Sequence, residues 1–392
     1  MGYKKIVFMV ETPILSRYYH RYGIDVLRKM GFDATIWDMS PVLLPVAYHN
    51  IKEDLCDYES CGFIQFHSMK EILRSLKSLD VDETLLICSM GYRWEYRRVF
   101  RMITKRKLHY CYFMQEISPS DHIAVGKTGQ WKQYSWKRIY HGLCRRIPWK
   151  YCGIKGADFI IGCGKNERAI RCYKESRLCE EKCPVIYFHS SNYEECREAL
   201  ELPRVVPGKY CVLIDQYLPY HPDNIDIGAL IDAKSYYTNL NKLFDRIQEQ
   251  MGCETVIAAH PRSNYNVHPE CFPSRKVYRN MTCRLVKDCE FVIYHFSNSL
   301  AYTAAFNKPV LLVSSDDIMQ VFSQKVDCIS QLLGAIPLNM DHMEDTEIAE
   351  YLALNQKINK EYICEYMKKD YDGVLEGMSL WEQIGEYITN LA

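Results

Sequence analysis

The sequence lacks net charge, long apolar runs and the local patterns of several large enzyme classes. Lys plus Arg and Asp plus Glu both total 49 over 392 residues, so the overall charge selects neither a nucleic acid nor an acidic partner. No apolar stretch reaches the roughly 18 residues of a membrane-spanning helix. The N-terminal run Ile6–Val10 is too short for the apolar part of a signal peptide. We therefore expect a cytoplasmic protein.

Three sequence patterns are also missing. The chain contains no Walker A motif, no G-x-G-x-x-G and no H-E-x-x-H, which argues against P-loop, dinucleotide-dependent and zinc-protease chemistry. Because no secretion signal is recognised, the 18 cysteines are expected to be reduced thiols. They include no C-x-x-C pair, and no metal or cofactor is predicted. Asp316–Asp317 is an acidic pair without the strand context of a metal-binding motif.

What remains is a globular composition, with 48% hydrophobic and 25% charged residues, on a chain long enough for two domains. Short β-rich runs alternate with helical segments throughout, which predicts parallel sheets covered by helices on both faces. The predicted fold is two doubly wound, Rossmann-like α/β domains facing a cleft, with a helical C-terminal tail. Pro203, Pro207 and Gly208 suggest a linker, which gives domains 1–203 and 209–392.

The sharpest local signal is the segment 255–264, TVIAAHPRSN. An apolar strand runs directly into His260, Pro261 and Arg262, which places these side chains at the ligand-binding edge of a parallel sheet. The histidine can donate a proton to a phosphate, and the arginine offers a planar fork to the same group. A strand-end histidine bonded to a nearby carbonyl would give the same pattern without any function.

A second strand ends in polar residues about 35 positions later. Segment 291–300, FVIYHFSNSL, places His295, Ser297, Asn298 and Ser299 between a strand and a helix. Hydroxyls and backbone N–H groups at such a junction suit an anion, although an ordinary helix cap explains the serines equally well. Together with His260, this pattern predicts a nucleotide-phosphate site in the second domain.

Several acidic residues are candidates for a general base. Asp215 ends the first strand of the second domain, and Asp223 follows it in a loop with the sequence His-Pro-Asp, where turn chemistry is the competing explanation. Glu11 and Glu116 end strands of the first domain and are rival bases.

The segment after the first strand is a candidate acceptor side. Arg17 and His20 are polar positions within a run that also contains Tyr18 and Tyr19. Aromatic rings next to such side chains suit a sugar acceptor, although the surface of an ordinary helix could have the same sequence.

Residues 122–157 form a basic segment. They contain eight Lys or Arg and no Asp or Glu, with three tryptophans among them. Such a stretch suits an anionic membrane surface or a lipid-linked acceptor, and it also suits a nucleic-acid backbone. A solvated basic face with inward tryptophans is the remaining interpretation.

The order strand, His-Pro-Arg, strand, Ser-Asn-Ser, helix resembles the second domain of bacterial GT-B glycosyltransferases. It is most similar to the sialyltransferase-like group that builds capsules and lipooligosaccharides, over roughly residues 205–320. The resemblance implies that His260 binds and protonates the leaving CMP phosphate, while Ser297 and Ser299 hold it. It also implies inverting, metal-independent transfer from a CMP-linked nonulosonic acid. The acidic motif that supplies the base in this group has only a partial copy, Asp226-Ile-Gly228, so the base stays open.

Two other functions compete with a glycosyltransferase. A sugar-nucleotide epimerase of the same architecture would also use a cleft histidine and phosphate-binding serines. A non-enzymatic protein would bind nucleic acid through residues 122–157, with an affinity that falls steeply with salt.

Overall fold

The computed structural model of the chain describes residues 2–14, 16–45, 48, 63–120, 123, 148–344, 347–354 and 360–391. These residues divide into two units, each with its own hydrophobic core. The first unit comprises described residues within 1–116, 133–191 and 377–392, and the second comprises those within 117–132 and 192–376.

The first unit contains a seven-stranded parallel sheet in the order β3-β2-β1-β4-β5-β6-β7. Its strands are β1 Lys5–Val10, β2 Asp33–Asp38, β3 Ile64–Gln65, β4 Thr84–Cys88, β5 His109–Phe113, β6 Phe159–Cys163 and β7 Val185–Phe188. Its helices are α1 Ser16–Arg21, α2 Ile24–Lys29, α3 Ser40–Leu43, α4 Met69–Ser78, α5 Arg97–Arg106, α6 Glu167–Glu175 and, at the end of the chain, α15 Leu380–Asn390, with 3-10 turns at Trp94–Tyr96 and Trp149–Cys152.

The second unit contains a six-stranded parallel sheet in the order β10-β9-β8-β11-β12-β13. Its strands are β8 Tyr210–Ile214, β9 Glu254–Ala259, β10 Val277–Arg279, β11 Val292–Tyr294, β12 Val310–Ser314 and β13 Leu338–Asn339. Its helices are α7 Ser191–Ala199 at the unit boundary, α8 Pro222–Ile227, α9 Ala233–Met251, α10 Thr282–Asp288, α11 Leu300–Ala305, α12 Asp316–Leu333, α13 Ile348–Leu354 and α14 Lys360–Tyr366, with a 3-10 turn at Pro269–Cys271.

In both sheets the first strand of the unit therefore lies inside the sheet. The next strands of the chain are added on one side of it, and the later strands on the other. The direction reverses between β1 and β4 in the first unit and between β8 and β11 in the second. In such doubly wound sheets, ligands bind beyond the carboxyl ends of the strands at the reversal point. The predicted fold class, two parallel α/β units with a helical C-terminal tail, is confirmed.

The two compact units differ from the predicted domains 1–203 and 209–392 in two places. Helix α15 belongs to the first unit, where the indole of Trp381 packs against Phe8 at 5.2 Å between ring centroids and donates to the Arg21 carbonyl at 2.7 Å. The predicted linker lies within the second unit, where Arg284 donates to the Pro203 carbonyl at 3.2 Å. Contacts between residues far apart in sequence set both boundaries.

Gly23 lies between the helices α1 and α2 and separates them. Its φ of 54° lies in the left-handed region that favours glycine. A Cβ at this position would meet the Trp381 ring at 2.1 Å. The absence of a side chain at Gly23, between α1 and α2, therefore lets Trp381 of the C-terminal helix pack against the first unit.

Replacing this glycine should loosen the C-terminal helix. Gly23→Ala adds left-handed strain and an overlap with Trp381, together about 2–5 kcal/mol of unfolding free energy. Gly31→Ala is the matched control, because Gly31 has a φ of 95° but no atom within 4 Å of its Cβ position. Chemical denaturation of both variants measures the difference. Equal losses would show that Trp381 does not pack on Gly23.

Candidate functional site

The strand β9 delivers His260 to the carboxyl edge of the second sheet. Its backbone N–H donates to Asp215 Oδ2 at 3.1 Å, and its carbonyl accepts the Ser263 N–H at 2.9 Å and the Ser263 hydroxyl at 2.7 Å. The ring Nδ1 accepts the Arg262 N–H at 3.1 Å. This pattern places the proton of the neutral ring on Nε2, so the half-buried imidazole presents a donor.

His221 at the N-cap of α8 and Asp223 in its first turn contact His260 and Arg262, respectively. The His221 ring meets the His260 ring edge to face, with centroids 4.8 Å apart. Burial lowers the pKa of His221, and the nearby Arg262 acts in the same direction against the attraction of Asp223. The Arg262 Nη1 lies 3.2 Å from both carboxylate oxygens of Asp223. His221 was not predicted as a site residue, although the sequence His-Pro-Asp marked its loop.

Asp215, a candidate general base in the sequence, is buried at the end of β8. It is 3% exposed, and its Oδ1 accepts the Tyr217 N–H at 2.8 Å. Its Oδ2 accepts the Tyr265 hydroxyl at 2.7 Å in addition to the His260 N–H. Burial raises the pKa of this carboxyl, and these hydrogen bonds oppose the rise. A carboxylate enclosed in this way holds neighbouring groups in place and does not meet a substrate.

The serine segment follows β11 on the same edge of the sheet. Ser297 Oγ accepts the Ser299 N–H at 3.2 Å, and Asn298 is exposed. Ser299 is the N-cap of the six-residue helix α11, but its side chain makes no capping hydrogen bond. The Phe296 N–H donates to Gln216 Oε1 at 3.1 Å, which ties this segment to the end of β8.

The predicted partners His260 and Ser297 therefore share one edge with strand β8 between them. Two strand spacings separate β9 from β11, which is about 10 Å. Asp215 and Gln216, consecutive residues after β8, bond to the β9 and β11 segments respectively. The backbones of the segments after β9 and β11 are therefore fixed relative to each other across the reversal point of the sheet.

His295 is placed in the core, which contradicts its predicted role in phosphate binding. It is 0% exposed, its Nδ1 donates to the Val313 carbonyl at 2.8 Å, and its Nε2 lies 3.0 Å from the Tyr236 hydroxyl. Burial lowers its pKa to about 4. A neutral imidazole with both nitrogens bonded inside the unit cannot reach a ligand.

In the first unit, Glu11 lies at the corresponding reversal point. Its Oε1 accepts the Gly91 N–H at 2.9 Å, which connects the ends of β1 and β4. Burial raises the pKa of Tyr96, and the Glu11 carboxylate raises it further. Glu116 follows β5 and is half-buried, whereas His20 is exposed on α1. Arg17 lies in α1.

Most of the predicted basic segment lies outside the described residues. Within its described part, Lys150 pairs with Glu180 at 3.3 Å and Tyr151 is 84% exposed. No helix among the described residues is long and apolar enough to span a membrane. The described part of the chain contains no group of three or more His, Cys, Asp or Glu side chains arranged to hold a metal ion.

No protein-family model matches the chain, and no curated protein matches it either. Among solved structures, the glycosyltransferase SnogD from Streptomyces nogalater is 10% identical, with 90% of each chain covered and a TM-score of 0.46. The spinosyn forosaminyltransferase SpnP is 11% identical, with 89% of each chain covered and a TM-score of 0.47. A Listeria monocytogenes protein described as a UDP-N-acetylglucosamine 2-epimerase is 11% identical over 90% of this chain and 88% of that chain, with a TM-score of 0.47.

Replacing Asp215 should destabilise the second unit and displace His260. In Asp215→Asn the amide cannot accept all three hydrogen bonds, and each buried donor left unpaired costs about 1–3 kcal/mol. Asp223→Asn is the matched control, because Asp223 is exposed and an exposed ion pair contributes about 1 kcal/mol or less. Urea denaturation compares the two. A loss of stability no larger in Asp215→Asn than in Asp223→Asn would contradict this role.

Burial of His295 should make stability depend on pH. In the unfolded chain its pKa returns to about 6.5, so that state gains a proton between pH 6.5 and about 4 while the folded state does not. Folding free energy attributable to His295 is therefore complete above pH 6.5 and is lost at about 1.4 kcal/mol per pH unit below it. His295→Asn, which can keep the bond to Val313, should lose stability less steeply on acidification. Parallel stability curves for the two proteins would show that His295 titrates normally.

Proposed function

We propose that the chain is a GT-B glycosyltransferase that transfers a sugar from a nucleotide-activated donor to a glycan acceptor. The observation that carries this proposal is the placement of His260. Its imidazole stands at the carboxyl edge of a doubly wound sheet, carries the ring proton on Nε2 and has His221 and Arg262 beside it. Donors gathered at the ligand-binding edge of such a sheet suit a phosphate.

The chemistry assigned to these residues is stabilisation of the leaving nucleotide. When the bond between the sugar and the phosphate breaks, negative charge develops on the phosphate oxygen. The Nε2–H of His260 donates to this oxygen, and the guanidinium of Arg262, which Asp223 orients, donates hydrogen bonds to the same phosphate. Ser297 and Ser299 lie on the other side of β8 along the same edge and can donate hydroxyls to the same group.

Two carboxylates are candidates for the general base. Asp223 is exposed, and its carboxylate pairs with Arg262. Glu11 has one oxygen held by Gly91 and lies beside the phenol of Tyr96 in the first unit. We assign proton removal from the acceptor hydroxyl to one of these two carboxylates, since Asp215 is enclosed.

The finer assignments rest on the resemblance of the His-Pro-Arg and Ser-Asn-Ser segments to sialyltransferase-like enzymes. They are a CMP-linked nonulosonic acid as donor, inverting transfer without a metal or other cofactor, and a cell-surface glycan as acceptor. The basic segment 122–157 would bring the enzyme to a lipid-linked acceptor at the inner face of the plasma membrane.

Nucleotide binding and turnover of the purified full chain test this function. One of CMP, UDP or GDP should raise the melting temperature selectively, and the matching sugar nucleotide should release its nucleotide slowly even without acceptor. His260→Asn keeps an acceptor for the Arg262 N–H but removes the Nε2 donor, so kcat should fall about 100- to 1000-fold. His342→Asn is the matched control, because this exposed histidine pairs with Asp316 elsewhere in the unit.

The outcomes separate the competing functions. Interconversion of sugar nucleotides without transfer identifies an epimerase. Salt-sensitive binding of oligonucleotides that survives His260→Asn, together with no response to any nucleotide, identifies a nucleic-acid-binding protein. Equal activity of His260→Asn and His342→Asn would refute the role assigned to His260.

A further inference from the structure

Two neighbouring helices of the first unit carry an unbalanced positive charge. The helices α4 and α5 pack against each other, and the guanidinium at the end of α5 donates to the Leu79 carbonyl after α4 at 3.1 Å. Together the two helices contain one carboxylate, Glu71, and eight basic residues: Lys70, Arg74, Lys77, Arg97, Arg98, Arg101, Lys105 and Arg106. The whole chain has no net charge, so positive charge is concentrated at this place.

Most of these basic side chains form one exposed stripe on each helix. They recur at spacings of three and four residues, opposite the buried apolar residues that face the sheet. The stripe of α5 contains Arg98, Arg101 and Lys105, and that of α4 contains Lys70, Arg74 and Lys77. Among the residues that the structure describes, no carboxylate forms an ion pair with any of these six side chains.

This arrangement costs the fold stability. Like charges three and four residues apart on a helix repel each other, and each stripe contains two such pairs. Folding of the unit alone therefore does not explain the arrangement. A negatively charged partner would offset the repulsion, and the complementary charge would attract the partner.

The topology places both helices on one face of the first sheet. The connections from β3 to β4 and from β4 to β5 run in the same direction, and right-handed crossovers put their helices on the same side. The turn Trp149–Cys152, in the connection from β5 to β6, joins this surface. Arg101 Nε donates to the Cys152 carbonyl at 2.7 Å. The Lys155 N–H donates to the Thr104 hydroxyl at 2.9 Å.

This turn adds an aromatic side chain more than it adds charge. Lys150 pairs with Glu180, and Lys155 pairs with Asp158, so both cations are balanced. Tyr151, in contrast, is 84% exposed. The ring of a tyrosine with a free hydroxyl suits the layer between lipid headgroups and hydrocarbon. A single exposed ring is less suited to a nucleic acid, whose successive bases stack on several aromatic side chains.

We propose that α4, α5 and the turn Trp149–Cys152, together called the α4–α5 surface, dock on an anionic phospholipid bilayer. The basic stripes contact the headgroups, and Tyr151 enters the headgroup layer. This inference deepens the proposed function, on which its purpose rests: a docked first unit takes a lipid-linked acceptor from the same bilayer. Helix α5 starts shortly after Gly91, the residue that bonds Glu11, so one end of the surface adjoins the edge that holds a candidate base.

A charge variant and a matched control test the docking. Arg74→Gln, Arg98→Gln and Lys105→Gln are combined in the charge variant, because these exposed side chains make no ion pair within the described part of the unit. The control combines Lys29→Gln, Lys234→Gln and Lys242→Gln, which remove the same charge from exposed positions on α2 and α9. Circular dichroism and melting temperature check that both full-length proteins fold.

Cosedimentation with vesicles measures the binding. The unaltered protein should bind vesicles of phosphatidylcholine with added phosphatidylglycerol and leave vesicles of phosphatidylcholine alone. Because each Lys or Arg near an anionic bilayer contributes about a fivefold gain in affinity, the charge variant should bind about 100-fold more weakly. The control should change by less than about threefold, since distant charges are screened. Tyr151→Ser should weaken binding without changing its dependence on salt, because it removes no charge.

The other outcomes are equally specific. No binding of the unaltered protein to the anionic vesicles, or equal binding of the charge variant and the control, would overturn the proposal. Binding of an oligonucleotide that the charge variant loses, without binding of vesicles, would assign the surface to a nucleic acid instead.

The thermal response to CMP, UDP and GDP, measured on the same proteins, keeps the two proposals apart. The charge variant should retain the nucleotide response of the unaltered protein. Vesicle binding through this surface without a response to any nucleotide would refute the proposed function and leave the docking intact. A nucleotide response without vesicle binding would do the reverse.

Discussion

The buried carboxylate of Asp215 is the interaction on which the second unit's functional edge depends. A negative charge enclosed in protein is costly unless hydrogen bonds surround it. Here the donors come from three different segments: the backbone of Tyr217, the backbone of His260 and the phenol of Tyr265. The requirement to satisfy this carboxylate therefore holds the loop after β8, the turn after β9 and the Tyr265 side chain in one arrangement. A rigid edge of this kind can present a histidine donor without reorganising when a ligand arrives.

The architecture follows from local sequence patterns to a large extent. Buried strands such as Lys5–Val10 and Asp33–Asp38 are short β-rich runs bounded by turn residues, and their alternation with helices predicts parallel sheets in both halves. The boundary between the two units could not be predicted from these local patterns. Helix α15 returns to the first unit because Trp381 fits against Gly23, a contact between residues more than 350 positions apart. Proline and glycine near residue 203 mark a turn inside the second unit, and composition alone does not distinguish such a turn from a linker.

The candidate site was predictable to the level of the sheet edge but not of the individual side chain. Parallel strands place their carboxyl ends together, so the polar residues after β9 and β11 were expected on one edge. Whether each polar residue faces outward depends on its tertiary partners. His295 turns inward because Tyr236 and the Val313 carbonyl satisfy both ring nitrogens, and Asp215 is enclosed because Tyr265 reaches it. The His221 ring contacts the His260 ring, although His260 lies 39 residues later in the chain. This tertiary contact places His221 in the site.

The central claim is that the Nε2 edge of His260 meets a phosphate. NMR of the protein labelled with ¹⁵N-histidine tests it directly, with the resonance of His260 identified by its loss in His260→Asn. The account predicts the Nε2–H tautomer in the free protein and a shift of this nitrogen when the preferred nucleotide or pyrophosphate is added. A proton on Nδ1 in the free protein, or a His260 signal that does not move when nucleotide binds, would contradict it.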